Sequence, residues 1–134
     1  MRRGFQLPEE DVQYVEGLGL PWETVKDGDA RWLLVHNWPV PPGYNHSMAL
    51  AGLILPASYP DGPIDMVYFY PHLSLTCGKG IKNLTPRSFD GKEWQQWSRH
   101  RTDANPWRPG LDNIATHLLL VENWLKRELP RIAA

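Results

Sequence analysis

The chain contains a single cysteine, Cys77, in a setting where a thiol could act as a nucleophile. It lies in Thr76-Cys77-Gly78-Lys79-Gly80, a polar, glycine-rich stretch in which we expect the side chain to be exposed. The neighbouring Lys79 and Lys82 favour the thiolate, which is the reactive form of a cysteine. A thiolate is strongly nucleophilic at neutral pH and can carry a covalently bound group. The alternative is that Cys77 is a small packing residue without a chemical role.

Other patterns of chemistry are not supported by the spacing of the residues. The histidines His36, His46 and His117 are scattered, and one cysteine cannot supply the paired short spacings of a structural zinc site. Gly78 and Gly80 do not form a phosphate-binding loop, because no strand, lysine and hydroxyl follow in the required order. We therefore predict neither a metal nor a bound cofactor.

Composition limits the class of protein further. A chain of 134 residues is expected to form one domain, residues 1–134. The 14 basic and 15 acidic side chains give a net charge of −1, which disfavours a nucleic-acid interface. The seven tryptophans are expected to pack in the core, and their use as stacking platforms for single-stranded nucleic acid is the weaker alternative. Without an apolar stretch of ~20 residues or a signal peptide, we expect a cytoplasmic protein that does not enter a membrane.

The hydrophobic pattern predicts two helices and several strands. Pro8 and three acidic residues suit a helix start near Leu7, and the helix is expected to end at Gly17–Gly19. Short apolar runs bounded by proline or glycine predict strands at residues 31–36, 47–55 and 65–70. A stripe of Leu111, Ile114, Leu118, Val121 and Leu125 predicts a final helix over residues 111–129.

No long periodic segment is visible between His72 and Pro106. We expect a long loop there, with one helical turn around Trp94 and Trp97. A structureless segment of that length in a compact domain is usually functional. The predicted fold class is α+β: an N-terminal helix, an antiparallel meander, a long loop that carries Cys77, and a C-terminal helix packed on the sheet.

Four landmarks in order make the chain resemble ubiquitin-conjugating enzymes. Tyr59-Pro60-Asp61-Gly62-Pro63 matches the family's Tyr-Pro-x-x-Pro turn, and Tyr70-Pro71-His72 stands where the family has His-Pro-Asn. Cys77 follows at the place of the active-site cysteine, and Trp107-Arg108-Pro109 matches the Trp-x-Pro that precedes a helix. This resemblance implies the family's fold, called UBC-like.

More narrowly, the chain is similar to a bacterial branch, the prokaryotic E2-like family E. The branch's Leu-Pro-x-x-Asp segment is present at residues 7–11, its Met-Val-Tyr-Phe strand at residues 66–69, and its Trp-x-x-Trp-Ser-Arg-His-Arg motif at residues 94–101. Three departures concern the site: Cys77 lies further from Pro71 than in the eukaryotic enzymes, His72 replaces the asparagine, and the segment from Cys77 to Trp107 is longer.

The resemblance implies a transferase that accepts a ubiquitin-like protein as a thioester from an activating enzyme and passes it to a target protein. It needs no cofactor, because the activating enzyme spends the ATP. The branch is associated with anti-phage defence operons. By position His72 would stabilise the oxyanion of the transfer step, or else bond to nearby backbone. His100 could accept the proton of the attacking amine, with a solvated basic turn as the alternative.

The family also implies surfaces for partners. Glu9, Glu10 and Asp11 lie on the helix that the family uses for its activating enzyme, although a solvated helix start explains them equally. Arg99 and Arg101 could hold acidic residues of the ubiquitin-like protein or the activating enzyme. The alternative function is a UBC-fold module that binds these partners without forming a thioester.

Overall fold

A computed structural model describes residues 1–131 of the chain. It is an α+β structure with two helices and one six-stranded antiparallel sheet, in the order β1-β2-β3-β4-β6-β5. The elements in chain order are α1 (Glu9–Gly17), β1 (Trp22–Asp27), β2 (Ala30–Pro39), β3 (Met48–Leu55), β4 (Val67–Tyr70), β5 (Leu84–Phe89), β6 (Lys92–Trp97) and α2 (Ile114–Arg127). The predicted fold class and the order of its main elements agree with this architecture.

The two helices begin where the sequence provides for them. Three acidic residues occupy the first turn of α1, where they complement the positive end of the helix dipole. Asn113 caps α2 in a capping box with Thr116, in which each side chain accepts from the other residue's backbone amide. Helix α2 therefore starts three residues later than predicted, and Leu111 is exposed in the preceding turn instead of joining the apolar stripe.

Strand β1 is not among the predicted strands, although the residues of the turn that follows it are typical of a hairpin. Asp27 pairs with Ala30, which leaves Gly28 and Asp29 as a two-residue hairpin loop between β1 and β2. Gly28 adopts a φ of 59°, which favours glycine. A two-residue loop with glycine at its first position, here Gly28-Asp29, is typical of such hairpins. This pair indicated a turn between two strands as well as a boundary.

The expected long loop between His72 and Pro106 is wrong in its middle part. Residues 84–97 form the hairpin of β5 and β6, which turns at Asp90 and Gly91, both with positive φ. Trp94 and Trp97 were assigned to a helical turn because they are three residues apart. In a strand, side chains alternate between faces, so residues three apart point to opposite sides of the sheet. Each tryptophan accordingly fills a different core cluster.

The sheet is covered on both faces. One face packs against the helices, where Val15 of α1 and Leu118 of α2 share a core with Leu33, Phe69 and Trp97. On the opposite face, a buried aromatic cluster consists of Trp32, Leu34, Tyr68, Phe89 and Trp94. Because both faces bury apolar side chains, this small chain removes more apolar surface from water than it would with one covered face, and the fold is stabilised accordingly.

The tip of the β5–β6 hairpin bends over the aromatic cluster. Phe89 stacks on Trp32 with ring centroids 4.0 Å apart and planes inclined by 6°. Gly52 makes room for this packing, because a Cβ there would lie 3.2 Å from Trp32 and 3.3 Å from Trp94. Arg2 closes the arrangement by binding Glu23 of β1 at 2.8 Å and Asp90 of the hairpin turn at 2.7 Å.

Within residues 1–131, neither helix combines the length and the apolar character that a membrane crossing requires.

Candidate active site

Cys77 is exposed on a short turn that the rest of the molecule holds in place. The turn closes with the amide of Gly78 donating to the carbonyl of Leu75 at 3.0 Å. Just before it, the amide and the hydroxyl of Thr76 both donate to the carbonyl of Gly43, at 2.9 and 3.2 Å. A reactive thiol at this position would therefore be accessible to a large partner while its backbone remains fixed.

Asn45 is the residue that braces the segment leading to Cys77. Its side-chain amide donates to the carbonyl of His72 at 3.1 Å, and its Oδ1 accepts from the amide of Ser74 at 2.8 Å. Its own amide donates to the carbonyl of Ser74 at 2.9 Å. These three hydrogen bonds fix residues 72–74 at both backbone donors and acceptors. Nothing in the spacing of Asn45 relative to Cys77 indicated this role.

Lys79, close to Cys77 in sequence, contacts the C-terminal end of α2. Lys79 Nζ donates to the carbonyl of Glu128 at 3.2 Å and lies 3.8 Å from its carboxylate. This contact places the residue two after Cys77 at the C-terminal end of α2, where the helix dipole is negative and a cation is stabilised. The Cys77 turn is thus held between the Gly43–Asn45 segment and the end of α2.

His72 lies beside strand β6, with nearly half of its side chain exposed. Its Nε2 is 3.2 Å from the carbonyl oxygen of Glu93 and must donate, because a carbonyl only accepts. In the neutral ring Nδ1 is then an acceptor, so it has no proton to offer an oxyanion. This geometry favours the second of the two alternatives for His72, a histidine bonded to nearby backbone.

His100 forms a close pair with Asp65. Its Nδ1 is 2.7 Å from Asp65 Oδ2, and the other carboxylate oxygen accepts from the amide of Arg101 at 2.9 Å. Donation from Nδ1 to the carboxylate leaves Nε2 of the neutral ring as an acceptor. About two thirds of the His100 side chain is exposed. Within residues 1–131, no hydrogen bond joins Cys77 to either His72 or His100.

The sequence suggests that Arg101 is available to bind a partner protein, but the structure shows it engaged within the molecule. Its side chain is only 10% exposed and donates from Nη2 to Nδ1 of His117 at 3.1 Å. His117 in turn donates from Nε2 to the carbonyl of Met66 at 3.0 Å, which fixes its neutral form. Burial lowers the pKa of His117 to about 4. Arg101 Nη1 is 4.0 Å from Asp112, and its buried Nε has no hydrogen-bond partner within residues 1–131.

Arg99 is also engaged within the molecule. Its guanidinium donates to the carbonyl of Lys82 at 3.1 Å, contacts Glu128 at 3.4 Å and lies over the ring of Trp97 at 5.0 Å. The residue therefore joins the end of β6 to the end of α2. Its side chain is 17% exposed, which leaves little of it for a partner.

The three acidic residues of α1 separate into two groups. Glu9 and Glu10 are exposed at the start of the helix. Asp11 is buried and accepts a hydrogen bond from the hydroxyl of Tyr59 at 2.8 Å, and burial raises its pKa. Asp11 therefore cannot present its carboxylate to a partner protein, whereas the exposed Glu9 and Glu10 can.

The structure adds three residues to those expected from the sequence: Asn45, Asp65 and His117. Asp65 could have been suspected only as a polar residue at the start of a strand. His117 lies at helical spacing within the apolar stripe of α2, which indicated burial but no partner. Within residues 1–131, no group of three or more histidine, cysteine or carboxylate side chains is placed to hold a metal ion.

A family model described as prokaryotic E2 family E matches residues 7–128, which include both helices, the whole sheet and the Cys77 turn. No curated protein matches the chain, and no solved structure does.

Proposed function

The chain belongs to the prokaryotic E2 family E, and we propose from this premise that it is a ubiquitin-conjugating-type acyl transferase with Cys77 as its carrier. The observation on which the proposal depends is the exposure of the single cysteine on a turn whose backbone is fixed on both sides. Its proposed partners are an activating enzyme, a ubiquitin-like protein and a target protein, and the proposed setting is a cytoplasmic pathway of antiviral defence.

The first step is an exchange of thioesters. The Cys77 thiolate attacks the carbonyl carbon of the ubiquitin-like protein's C-terminal thioester, a new carbon–sulfur bond forms, and the thiolate of the activating enzyme leaves. The exchange is nearly balanced in energy because one thioester replaces another. It requires an accessible thiolate, and the exposure of Cys77 on a braced turn supports that accessibility.

The second step transfers the acyl group to an amine. The amine attacks the Cys77 thioester, loses a proton, and the Cys77 thiolate departs from the tetrahedral oxyanion. We assign the proton to Nε2 of His100, because its pairing with Asp65 leaves that nitrogen as an acceptor. For His72 we assign a structural role beside Asn45, since its proton is already donated to Glu93.

A thioester assay tests the carrier. The chain is incubated with the activating enzyme, the ubiquitin-like protein and ATP, and the products are separated without reductant. A band that thiol reductant removes, that is absent in Cys77→Ala and that resists reductant in Cys77→Ser supports the proposal. If the wild-type chain forms no adduct while the activating enzyme is charged, Cys77 is not the carrier, and a non-catalytic binding module is the better conclusion.

The role of His100 is tested by separating loading from discharge. His100→Gln should form the thioester at the wild-type rate and discharge it to free lysine more slowly, and raised pH should restore part of the rate. His46→Gln is the matched control, because His46 is also exposed but lies in the loop before β3. Equal discharge by the two variants would contradict the assignment.

A further inference from the structure

A groove of about 660 Å³ runs along the outer side of α2. One wall is a face of the helix, formed by Thr116, Leu119, Leu120, Asn123 and Arg127. Apart from the adjacent pair Leu119 and Leu120, successive positions are three or four residues apart and therefore form one continuous stripe. The other wall is the segment of residues 100–108. The face of α2 that packs in the core is a different one, carried by Leu118, Val121 and Leu125.

The groove has more positive than negative charge. Three arginines line it, Arg101, Arg108 and Arg127, and among residues 1–131 the lining includes the carboxylate of Asp112, with exposed Asp103 in the same wall segment. Asp112 lies 3.5 Å from Arg108 and 4.0 Å from Arg101, so this carboxylate is shared by two guanidinium groups. The Arg101 side chain is 90% buried, and its Nε has no hydrogen-bond partner within residues 1–131. Because this Nε is itself enclosed, Arg101 adds positive charge from within the wall, and the exposed Arg108 and Arg127 are the guanidinium groups that a ligand can reach.

The polar and apolar groups of the groove suit a peptide backbone with mixed side chains. Asn105 and Asn123 face the groove from opposite walls and offer both amide donors and acceptors. Leu119 is 57% exposed on the stripe and offers an apolar contact beside the polar groups of the groove. Asparagine amides can pair with backbone groups, while an exposed leucine can contact an apolar side chain.

The length of the groove separates a peptide from a small ion. From Thr116 to Arg127 the helix rises about 16 Å, at about 1.5 Å per residue. An extended chain covers that distance with about five residues. A free phosphate would occupy only one end, and it would leave Leu119 and the opposite arginine uncontacted.

We propose that the groove between α2 and residues 100–108 binds an extended acidic peptide segment of a partner protein. Carboxylates of the segment pair with Arg108 and Arg127 at the two ends, and its backbone lies between the asparagines. The proposal requires no thioester chemistry, so its test gives an answer whether or not Cys77 carries an acyl group.

The test begins with a phage-displayed library of random peptides, selected on the wild-type chain without ATP or other proteins. Enriched sequences should contain acidic residues with at least one apolar residue between them. Synthetic copies with a fluorescent label are then measured by anisotropy against Arg108→Glu with Arg127→Glu. We expect at least about tenfold weaker binding to this variant and weaker binding at higher salt.

The matched control is Lys26→Glu with Lys126→Glu, which changes net charge equally. Lys126 neighbours Arg127 but lines a separate pocket with Pro39 and Val40 on another side of the helix. This variant should keep binding within about twofold of wild type, since its changes lie outside the groove and act only through screened long-range charge.

Three outcomes would overturn the proposal. The first is that selection enriches no peptide, or only peptides without acidic residues. The second is that the groove variant and the control variant lose peptide affinity equally. The third is that millimolar inorganic phosphate displaces the peptide completely. The last result would assign a small oxyanion to the groove instead of a peptide. Circular dichroism of both variants confirms that lost binding is not lost folding.

Discussion

The hydroxyl of Tyr59 donates a hydrogen bond to Asp11 Oδ2 at 2.8 Å, and the hydroxyl oxygen of Tyr59 accepts one from the amide of Ile114 at 2.9 Å. One side chain thus connects the first turn of α1, the turn after β3 and the start of α2. Burial raises the pKa of both Tyr59 and Asp11, which fits a bond enclosed by protein. Trp107 extends this contact by donating from Nε1 to the carbonyl of Pro60 at 3.0 Å.

We predict that Tyr59→Phe lowers the free energy of unfolding by about 1–3 kcal/mol, because it leaves a buried carboxyl and a helix amide without their partner. Urea unfolding followed by circular dichroism measures the change. Tyr70→Phe is the control, since Tyr70 lies at an exposed position, and it should stay within about 0.5 kcal/mol of wild type. Equal midpoints for the two variants would contradict the role of the Tyr59 hydroxyl.

We predict that acid destabilises the fold through His117. Its pKa falls from 6.5 to about 4 on folding because the ring is buried. A pKa that is lower in the folded state gives stability that is complete above pH 6.5 and is lost as the pH falls from 6.5 to about 4. The loss is about 3 kcal/mol, at about 1.4 kcal/mol for each pH unit.

Unfolding by urea at several pH values checks this prediction on the wild type, His117→Gln and His46→Gln. Glutamine can keep a donor toward Met66 and an acceptor toward Arg101 but does not titrate. His117→Gln should therefore show a flatter dependence between pH 6.5 and 4, and His46→Gln should keep the wild-type slope. If all three slopes coincide, protonation of His117 does not control acid stability.

We predict that Asn45→Ala loosens the approach to Cys77 without unfolding the domain. Hydrogen exchange at the Ser74 amide should accelerate about fivefold, because removal of its acceptor costs about 1 kcal/mol. Asn45→Asp keeps that acceptor but loses the donor to His72, and it should fall between alanine and wild type. His46→Ala is the adjacent exposed control. Ser74 exchange that is unchanged in Asn45→Ala would show that the side chain is not the brace.

We predict that Phe89→Ala costs about 3 kcal/mol of stability, because it removes the ring stacked on Trp32 and leaves a cavity beneath the hairpin tip. A mobile loop would lose little on the same change. Leu119→Ala is the control, as an apolar residue exposed on α2. Thermal unfolding of both variants separates the two cases, and a small effect of Phe89→Ala would mean that β5 and β6 are not part of the cooperative fold.

Much of the architecture could be predicted from local patterns. The stripe of Ile114, Leu118, Val121 and Leu125 predicts α2, and proline-bounded apolar runs predict the three central strands. The β5–β6 hairpin was missed because Pro86 and the polar residues of Lys92–Trp97 do not alternate in the way a half-buried strand does. The Asp90-Gly91 pair was the available signal for its turn.

The site was predictable only where a residue's type restricts its role. Cys77 could be identified because the chain has one cysteine and a polar loop around it. The brace by Asn45 and the pairing of His100 with Asp65 depend on contacts between residues 27 and 35 positions apart. Such contacts are set by the packing of the sheet, and no local periodicity reports them. For the same reason, the burial of Asp11 and Arg101 could not be seen in their charged side chains.

The contact of Arg2 with Asp90 joins residues 88 positions apart. During synthesis from the N-terminus, Arg2 and the strands β1 to β4 are made long before the hairpin that carries Asp90. Until that hairpin is complete, Trp32 and Tyr68 have no Phe89 or Trp94 to cover them, so the nascent chain exposes an aromatic sheet face. At about 5–20 residues per second this interval lasts on the order of seconds. This aromatic face of the growing chain is therefore most prone to aggregate after β4 has emerged and before residue 97 has been added.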